Sequence, residues 1–116
     1  MGRAALSERA VILGVNGVVG QALARQLIES GVSITGLDLQ ERVFCQDGGI
    51  AYEQCDATDP TSAGLEAIGA ADTILICLPE DVAIAALPTL VERADADSLI
   101  VDTLSVKQRV TATLES

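Results

Sequence analysis

The stretch from Val11 to Gly20 constrains the fold of this chain more than any other part of the sequence. An apolar run that ends at Leu13 is followed by Gly14, Gly17 and Gly20, and then by apolar residues at helical spacing. This order is typical of a buried strand, a tight turn and a helix. Glycine allows close approach of a ligand, and a helix N-terminus attracts negative charge. The turn therefore predicts a site for a phosphate or pyrophosphate.

Apolar runs alternate with segments of helical spacing along the rest of the 116 residues. The predicted strands are Arg9 to Leu13, Val32 to Leu37, Ile50 to Cys55, Thr73 to Leu78 and Ser98 to Val101. The predicted helices are Val18 to Glu29, Pro60 to about Ile68, Asp81 or Val82 to about Ala94, and Val106 to Leu114. Strands that alternate with helices predict an α/β fold, a Rossmann-like doubly wound parallel sheet in a single three-layer domain over residues 1–116.

Two helix boundaries are predicted from local residue chemistry. Asp59 is a good N-cap and Pro60 suits a first helical position, so the second helix is expected to begin there. Pro88 lies inside the third helical segment, where proline removes one hydrogen bond and clashes with the preceding turn. We therefore expect a kink at Pro88 or a split into two short helices.

Ligands of open parallel sheets bind at the carboxyl ends of the strands. Asp38 follows the second strand, where a carboxylate accepts hydrogen bonds from ribose hydroxyls and repels a 2′-phosphate, so that NAD is favoured over NADP. The backbone of Leu78 and Pro79 is expected beside the nicotinamide ribose, although these residues also suit a plain strand end before a helix. The predicted cofactor-binding residues are Gly14, Val15, Asn16, Gly17, Val18, Val19, Gly20, Asp38, Leu78 and Pro79.

Two positions allow more than one interpretation. The usual dinucleotide fingerprint would place a glycine at position 15, where this chain has Val15, whereas Gly14, Gly17 and Gly20 fit the alternative spacing of extended short-chain dehydrogenases. Val15 at the tight turn raises the expectation of weakened cofactor binding. Asp56, after the third strand, is an acceptor for an adenine amino group or a helix-capping residue.

Charge and residue usage exclude several classes of function. The net charge of −10 argues against binding to nucleic acid or to an anionic membrane surface. Cys45, Cys55 and Cys77 form no CxxC pair and the chain has no histidine, so we expect no metal site. Reduced thiols, and the absence of a signal peptide or a membrane-spanning apolar run, predict a cytoplasmic protein. Without histidine, this chain alone cannot supply an imidazole base.

Three segments together resemble the amino-terminal domain of prephenate and arogenate dehydrogenases. They are Val11 to Gly20, Ala71 to Pro79, and Ile100 to Lys107, of which the last, with Asp102 and Ser-Val-Lys from Ser105, is the most specific. The resemblance implies oxidative decarboxylation with NAD or NADP in tyrosine biosynthesis. It also implies that Gly14, Gly17 and Gly20 hold the pyrophosphate, that Asp38 holds the ribose, and that Ser105 faces the nicotinamide and the substrate as a catalytic residue.

In that family the matching serine orients a histidine in a downstream His-Pro segment, which this sequence lacks. The resemblance therefore implies that only the cofactor half is present, without the helical domain for substrate binding and dimerisation, and that this chain contacts such a domain or forms a homodimer. The alternative is a non-catalytic Rossmann module used for regulation or assembly. A short-chain dehydrogenase fragment lacks its Tyr-xxx-Lys pair here, and a methyltransferase remains a weaker option.

Overall fold

The computed structural model describes residues 8–40 and 50–103, which form a parallel sheet flanked by helices. The five strands lie in the order β3-β2-β1-β4-β5. The strands are β1 (Arg9–Leu13), β2 (Ser33–Asp38), β3 (Ile50–Gln54), β4 (Thr73–Ile76) and β5 (Leu99–Asp102), and the helices are α1 (Val18–Glu29), α2 (Ser62–Ala70) and α3 (Glu80–Arg93). This arrangement confirms the predicted Rossmann-like α/β fold.

The central strand β1 is buried on both faces, as its uninterrupted apolar sequence predicted. Because successive side chains of a strand point to opposite faces, β1 contributes to two cores. Val11 and Leu13 pack in the core that contains the buried residues of α2 and α3. Ala10 and Ile12 pack in the other core, with Ala24 of α1. The sheet therefore has α1 on one face and α2 and α3 on the other.

Helix α2 begins later than predicted, because Thr61 and not Asp59 is its N-cap. The Thr61 hydroxyl accepts a hydrogen bond from the backbone N–H of Gly64 at 3.1 Å. The N–H of Asp59 instead donates to the Asp56 carbonyl at 2.9 Å, and the two residues form an isolated bridge. This local turn occupies Asp59, so the prediction of a cap at Asp59 and a helix start at Pro60 was wrong.

Helix α3 runs without a break from Glu80 to Arg93 with Pro88 inside it, so of the two predicted effects of Pro88 the split was wrong, and the kink stays a prediction. Proline at this position removes the hydrogen bond to the carbonyl of Ile84. Both residues are exposed, so water can solvate that carbonyl and the helix continues. The predicted final helix, Val106 to Leu114, lies outside the described residues.

The other boundaries agree with the sequence to within one or two residues. Helix α1 and strand β1 have the predicted ends, whereas β4 ends at Ile76, two residues earlier than expected. Within residues 8–40 and 50–103, no helix has the length and the apolar character that crossing a membrane requires. The same residues contain no group of three or more histidine, cysteine, aspartate or glutamate side chains placed to hold a metal ion.

Candidate functional site

A cleft of about 420 Å³ opens at the carboxyl edge of the sheet, where sequence analysis placed the ligand. Its volume lies in the range of roughly 300–1,000 Å³ that is usual for small-molecule sites. The turn after β1 and the ends of β2, β3 and β4 contribute its walls. The lining residues are Gly14, Asn16, Gly17, Leu37, Asp38, Leu39, Gln40, Cys55, Asp56, Ala57, Cys77, Leu78, Pro79 and Val82.

Two glycines of the turn are required by the fold itself. Gly14 has a φ of +82°, and a Cβ at this position would lie 2.3 Å from the carbonyl oxygen of Cys77. A Cβ at Gly20 would lie 2.4 Å from the carbonyl oxygen of Gly14 and 2.8 Å from the Cα of Val15. The turn and the first turn of α1 therefore pack too closely for any side chain at these two positions.

Gly17 differs, because nothing in the described parts of the protein requires a glycine there. Its backbone is extended, with φ −75° and ψ 169°, and a Cβ would meet only the Gly14 carbonyl oxygen, at 3.4 Å. Gly17 is exposed and lines the cleft as the N-cap of α1, and it makes no side-chain cap. The first turn of α1 also has no acidic residue. The missing side chain leaves the positive end of the helix dipole open to an anion.

Val15 does not enter the cleft. Its side chain is fully buried, in the core on the α1 face, and it packs directly over Gly36 of β2. A Cβ at Gly36 would lie 2.6 Å from the Val15 Cγ1, so the valine fills the space that this second glycine leaves. The tight turn depends on Gly14, one residue earlier. This geometry fits the spacing of Gly14, Gly17 and Gly20. The effect of Val15 on cofactor binding stays a prediction.

The carboxylate of Asp38 lies where the turn after β1 meets the loop after β2, a place that we call the cleft corner. Backbone N–H groups of both segments hold it. Its Oδ2 accepts the N–H of Asn16 at 3.0 Å, and its Oδ1 accepts the N–H of Gln40 at 3.2 Å. Each carboxylate oxygen has a further lone pair, so the group can also accept hydroxyl hydrogens from a ligand. Asp38 and Asp56 are the charged residues among the described residues that line the cleft, which is therefore electronegative.

Tyr52 on β3 helps to hold the residues that line the cleft, and the sequence did not predict this. Its hydroxyl accepts a hydrogen bond from Nδ2 of Asn16 at 3.2 Å and donates to the carbonyl of Gln40. Asn16 is also held through its carbonyl, which accepts from Nε2 of Gln21 at 2.6 Å. Tyr52 is the sole tyrosine of the chain, but neither its spacing nor its neighbours predict contacts with segments 36 and 12 residues away.

Asp56 lines the cleft but directs its carboxylate at its own turn. One oxygen, Oδ1, accepts the Thr58 hydroxyl at 2.7 Å and the Thr58 backbone N–H at 2.8 Å. The side-chain hydrogen bond, followed by the backbone one, lowers the pKa of Asp56 below its usual value. It is not the cap of α2, which is Thr61, and the contacts described hold the loop after β3 in shape. Its role as an acceptor for an adenine amino group stays a prediction.

Both described cysteines line the cleft, on opposite sides. Burial raises the pKa of the Cys55 thiol after β3 and of the Cys77 thiol after β4. A hydrogen bond with Thr103 partly offsets the effect on the pKa of Cys77. Thr103 itself donates from its hydroxyl to the carbonyl of Ile76 at 2.8 Å, which fastens the end of β5 to the end of β4.

The structure brings together six of the predicted site residues. Those that line the cleft are Gly14, Asn16, Gly17, Asp38, Leu78 and Pro79. Val15 and Gly20 are buried in the packing behind the turn, while Val18 and Val19 are 88% and 42% exposed on the first turn of α1, beside the cleft. Ser105 lies outside the described residues, so its predicted role stays a prediction.

Comparisons with known proteins bear on the family and the fold of this chain. The family described as "Prephenate dehydrogenase, nucleotide-binding domain" matches residues 23–116. The chain is 32% identical, over 106 residues and 91% of its length, to the 4-amino-4-deoxyprephenate dehydrogenase of Streptomyces pristinaespiralis. It spans 35% of the length of that relative.

Solved structures share the fold at lower identity. The uronate dehydrogenase of Agrobacterium tumefaciens has a TM-score of 0.61 and 20% identity, over 84% of this chain and 40% of that one. The Kef CTD of Shewanella denitrificans in its AMP-bound form has a TM-score of 0.66 and 23% identity, over 82% of this chain and 58% of that one. At these identities the similarity establishes the fold alone.

Proposed function

The chain belongs to the prephenate dehydrogenase family, as its nucleotide-binding domain, and from this we propose that it binds NAD as the cofactor half of an oxidoreductase acting on a prephenate-type substrate. The observation that carries the proposal is the open cradle at Gly17. There, a glycine that the fold does not need lies at the N-terminus of α1 and lines the cleft. Such a cradle fits a pyrophosphate, which sits on backbone N–H groups without room for a Cβ.

The preference for NAD over NADP rests on the charge of the cleft. Asp38 is fixed by two backbone amides and can accept ribose hydroxyls. The same carboxylate repels a 2′-phosphate. No lysine or arginine occurs among the described residues that line the cleft, so nothing in that lining would offset the repulsion.

The chemistry of the whole enzyme requires more than the described residues supply. When bound, a nicotinamide cofactor accepts a hydride from the substrate. The described residues bind and orient the dinucleotide, and Ser105 is the residue we propose beside the reacting groups. The chain has no histidine, so an imidazole base, if the reaction uses one, comes from another segment or chain. The substrate is prephenate, arogenate or an amino analogue such as the one named for the Streptomyces relative.

Titration calorimetry on this chain tests the proposal. We expect the wild-type protein to bind NAD and ADP-ribose, and to bind NADP more weakly. The substitution Gly17→Ala should raise the Kd for NAD about tenfold, because a methyl group in the cradle costs on the order of 1–3 kcal/mol of overpacking against the phosphate.

The matched control is Gly69→Ala in α2, where a Cβ would make only an ordinary contact of 3.6 Å with the carbonyl oxygen of Arg93. Both variants should keep the wild-type melting temperature to within a few degrees, and Gly69→Ala should bind NAD normally. The proposed function would be contradicted if the wild-type protein bound none of the three ligands, NAD, ADP-ribose and NADP. Normal NAD binding by Gly17→Ala would contradict the assignment of the cradle.

A further inference from the structure

A closed ring of hydrogen bonds surrounds the carboxylate that faces the cleft corner. Asp38 Oδ2 accepts from the backbone of Asn16, and Oδ1 accepts from the backbone of Gln40. The hydroxyl of Tyr52 closes the ring, because it accepts from the side chain of Asn16 and donates to the carbonyl of Gln40. Each carboxylate oxygen of Asp38 is thus held by a residue that Tyr52 holds in turn. We call these four residues the Tyr52 ring.

We propose that Tyr52 is a positioning residue that aims the Asp38 carboxylate at the 2′-hydroxyl of a bound nucleotide, and so makes the cleft selective for an unmodified ribose. This inference rests on the proposed function of the cleft. Tyr52 does not line the cleft, whereas Asn16, Asp38 and Gln40 do. Its hydroxyl therefore acts on the ligand through these residues.

The corner around Asp38 is otherwise fixed by bonds that do not control the direction of its side chain. The Asp38 carbonyl accepts the N–H of Cys55 at 2.9 Å, and the Leu39 carbonyl accepts Nε2 of Gln54 at 3.1 Å. These contacts hold the backbone beside β3. The Tyr52 hydroxyl connects that corner to the glycine turn at Asn16, beside the bond from the Gly14 N–H to the Leu37 carbonyl at 2.8 Å. Because the Asp38 carboxylate accepts one N–H from each of these two segments, we infer that the Tyr52 bridge between them sets where its two oxygens point.

Removal of the Tyr52 hydroxyl therefore leaves the charge of Asp38 in place and changes the orientation of its carboxylate group. A ligand that uses the carboxylate loses affinity, whereas a ligand that lacks the 2′-hydroxyl has nothing to lose at this position. Simple damage to the fold would instead weaken both ligands equally. The ratio of the two affinities separates the two explanations.

The test compares ADP with 2′-deoxyadenosine diphosphate by titration calorimetry, on the full chain and on Tyr52→Phe. We expect the wild-type protein to prefer ADP by about tenfold, the value of one hydrogen bond to a charged group. In Tyr52→Phe the preference should fall to about threefold, with the Kd for the deoxy ligand nearly unchanged. Asp38→Asn gives the reference for a site whose carboxylate charge is lost.

Two further variants keep the test independent of the stability of Tyr52→Phe. Asn16→Ala retains the backbone N–H that Asp38 Oδ2 accepts and removes the amide that contacts the Tyr52 hydroxyl, so it should also reduce the preference for ADP. Ser98→Ala is the matched control, because it loses one hydroxyl-to-carbonyl hydrogen bond, to Ala71 at 2.7 Å, at the amino edge of the sheet. It should leave the preference for ADP unchanged.

The outcomes separate this inference from the function on which it rests. Equal weakening of both diphosphates in Tyr52→Phe, or an unchanged preference in both ring variants, overturns the positioning role and leaves nucleotide binding intact. Absence of binding of either diphosphate to the wild-type protein overturns the proposed function and the inference with it. A reduced preference in Tyr52→Phe and Asn16→Ala, with Ser98→Ala unchanged, supports the inference.

Discussion

Ile34 and Leu99 lie in one row of the sheet, since the parallel register places Ile34, Ala10, Thr73 and Leu99 side by side on the same face. Ile34 is 3% exposed, whereas Leu99 is 60% exposed. The sheet has two flanks on either side of β1, one formed by β2 and β3 and the other by β4 and β5. The difference in exposure reflects what covers each flank. Ile34 packs in the core that contains the buried Ala24 of α1, while nothing described covers Leu99. Val101, two residues further along β5, packs against the same core as Ile34.

The loops at the carboxyl edge show the same asymmetry. On the β2–β3 flank, the carbonyls of Asp38, Leu39 and Gln40 all accept hydrogen bonds from β3 or the residue after it. On the β4–β5 flank, the described bond between the strand ends is that of Thr103 to Ile76. Among the described residues, the β2–β3 flank thus has more hydrogen bonds between its loop and its strand than the β4–β5 flank has between its strand ends.

Gly14 joins the two flanks, and its substitution should have the largest effect on stability. Its N–H donates to the Leu37 carbonyl on β2 at 2.8 Å, and its Cα faces the Cys77 carbonyl after β4. Gly14→Ala adds left-handed backbone strain of roughly 1–2 kcal/mol to overpacking of roughly 1–3 kcal/mol. We expect the free energy of unfolding in urea to fall by about 4 kcal/mol.

Gly31→Ala is the control for the strain alone. Gly31 has a φ of +86°, close to that of Gly14, but a Cβ there would have nothing within 4 Å. This variant should lose only about 1–2 kcal/mol. Equal losses in the two variants would show that the contact between Gly14 and the β4 end does not hold the flanks together.

The row that contains Ile34 and Leu99 offers the next test. Ile34→Ala should lower the free energy of unfolding by about 3 kcal/mol, because it deletes a buried side chain from a packed core. Leu99→Ala removes a side chain of similar size from an exposed site, and should cost less than about 1 kcal/mol. Chemical denaturation measures both. Similar losses would mean that Leu99 is covered in solution.

The centre of the sheet was easier to predict from sequence than its β2–β3 flank. Strand β1 and helix α1 have local signals that agree with each other, and their ends were predicted to the residue. The position of Asp38 at the edge followed from the topology of parallel sheets alone. Local rules of this kind succeed where propensity, pattern and topology give the same answer.

The failures share a physical cause, which is competition between equivalent local choices or contact between distant residues. Asp59 and Thr61 are both good caps, and only the pairing of Asp59 with Asp56 decides between them. The burial of Val15 depends on Gly36 in another strand, and the Tyr52 ring joins three separate segments. No residue pattern along the chain records such contacts.

A binding measurement compares the flanks more finely than unfolding does. Asp38→Asn should weaken NAD about tenfold, since a hydrogen bond to a charged acceptor contributes on the order of 1.5 kcal/mol, and should strengthen NADP by removing the repulsion. Asp102→Asn, at the end of β5, changes the net charge equally and should leave the ratio of the two affinities unaltered. If both variants changed the ratio of the NAD and NADP affinities by the same factor, the selectivity would come from the overall charge and not from the position of Asp38.

The two cleft cysteines give the smallest and most local comparison. Burial raises the pKa of both thiols, so at pH 8 each holds less of the reactive thiolate than an unperturbed cysteine. In a Cys45→Ser background we expect both to react more slowly with iodoacetamide than glutathione does, with the rate rising only at higher pH. Cys55, which is 6% exposed, should be slower than the half-buried Cys77.

The same shift in pKa has a defined sign in stability. The folded state holds the thiol protons more tightly than the unfolded chain, so this contribution to the free energy of unfolding is complete below the ordinary thiol pKa and is lost as the pH rises through the raised value.

Peptide mapping after timed alkylation gives the rate of labelling at each cysteine separately. Faster labelling of Cys55 than of Cys77 would show that the β2–β3 flank opens more readily than its hydrogen bonds indicate, and would reverse the comparison between the flanks.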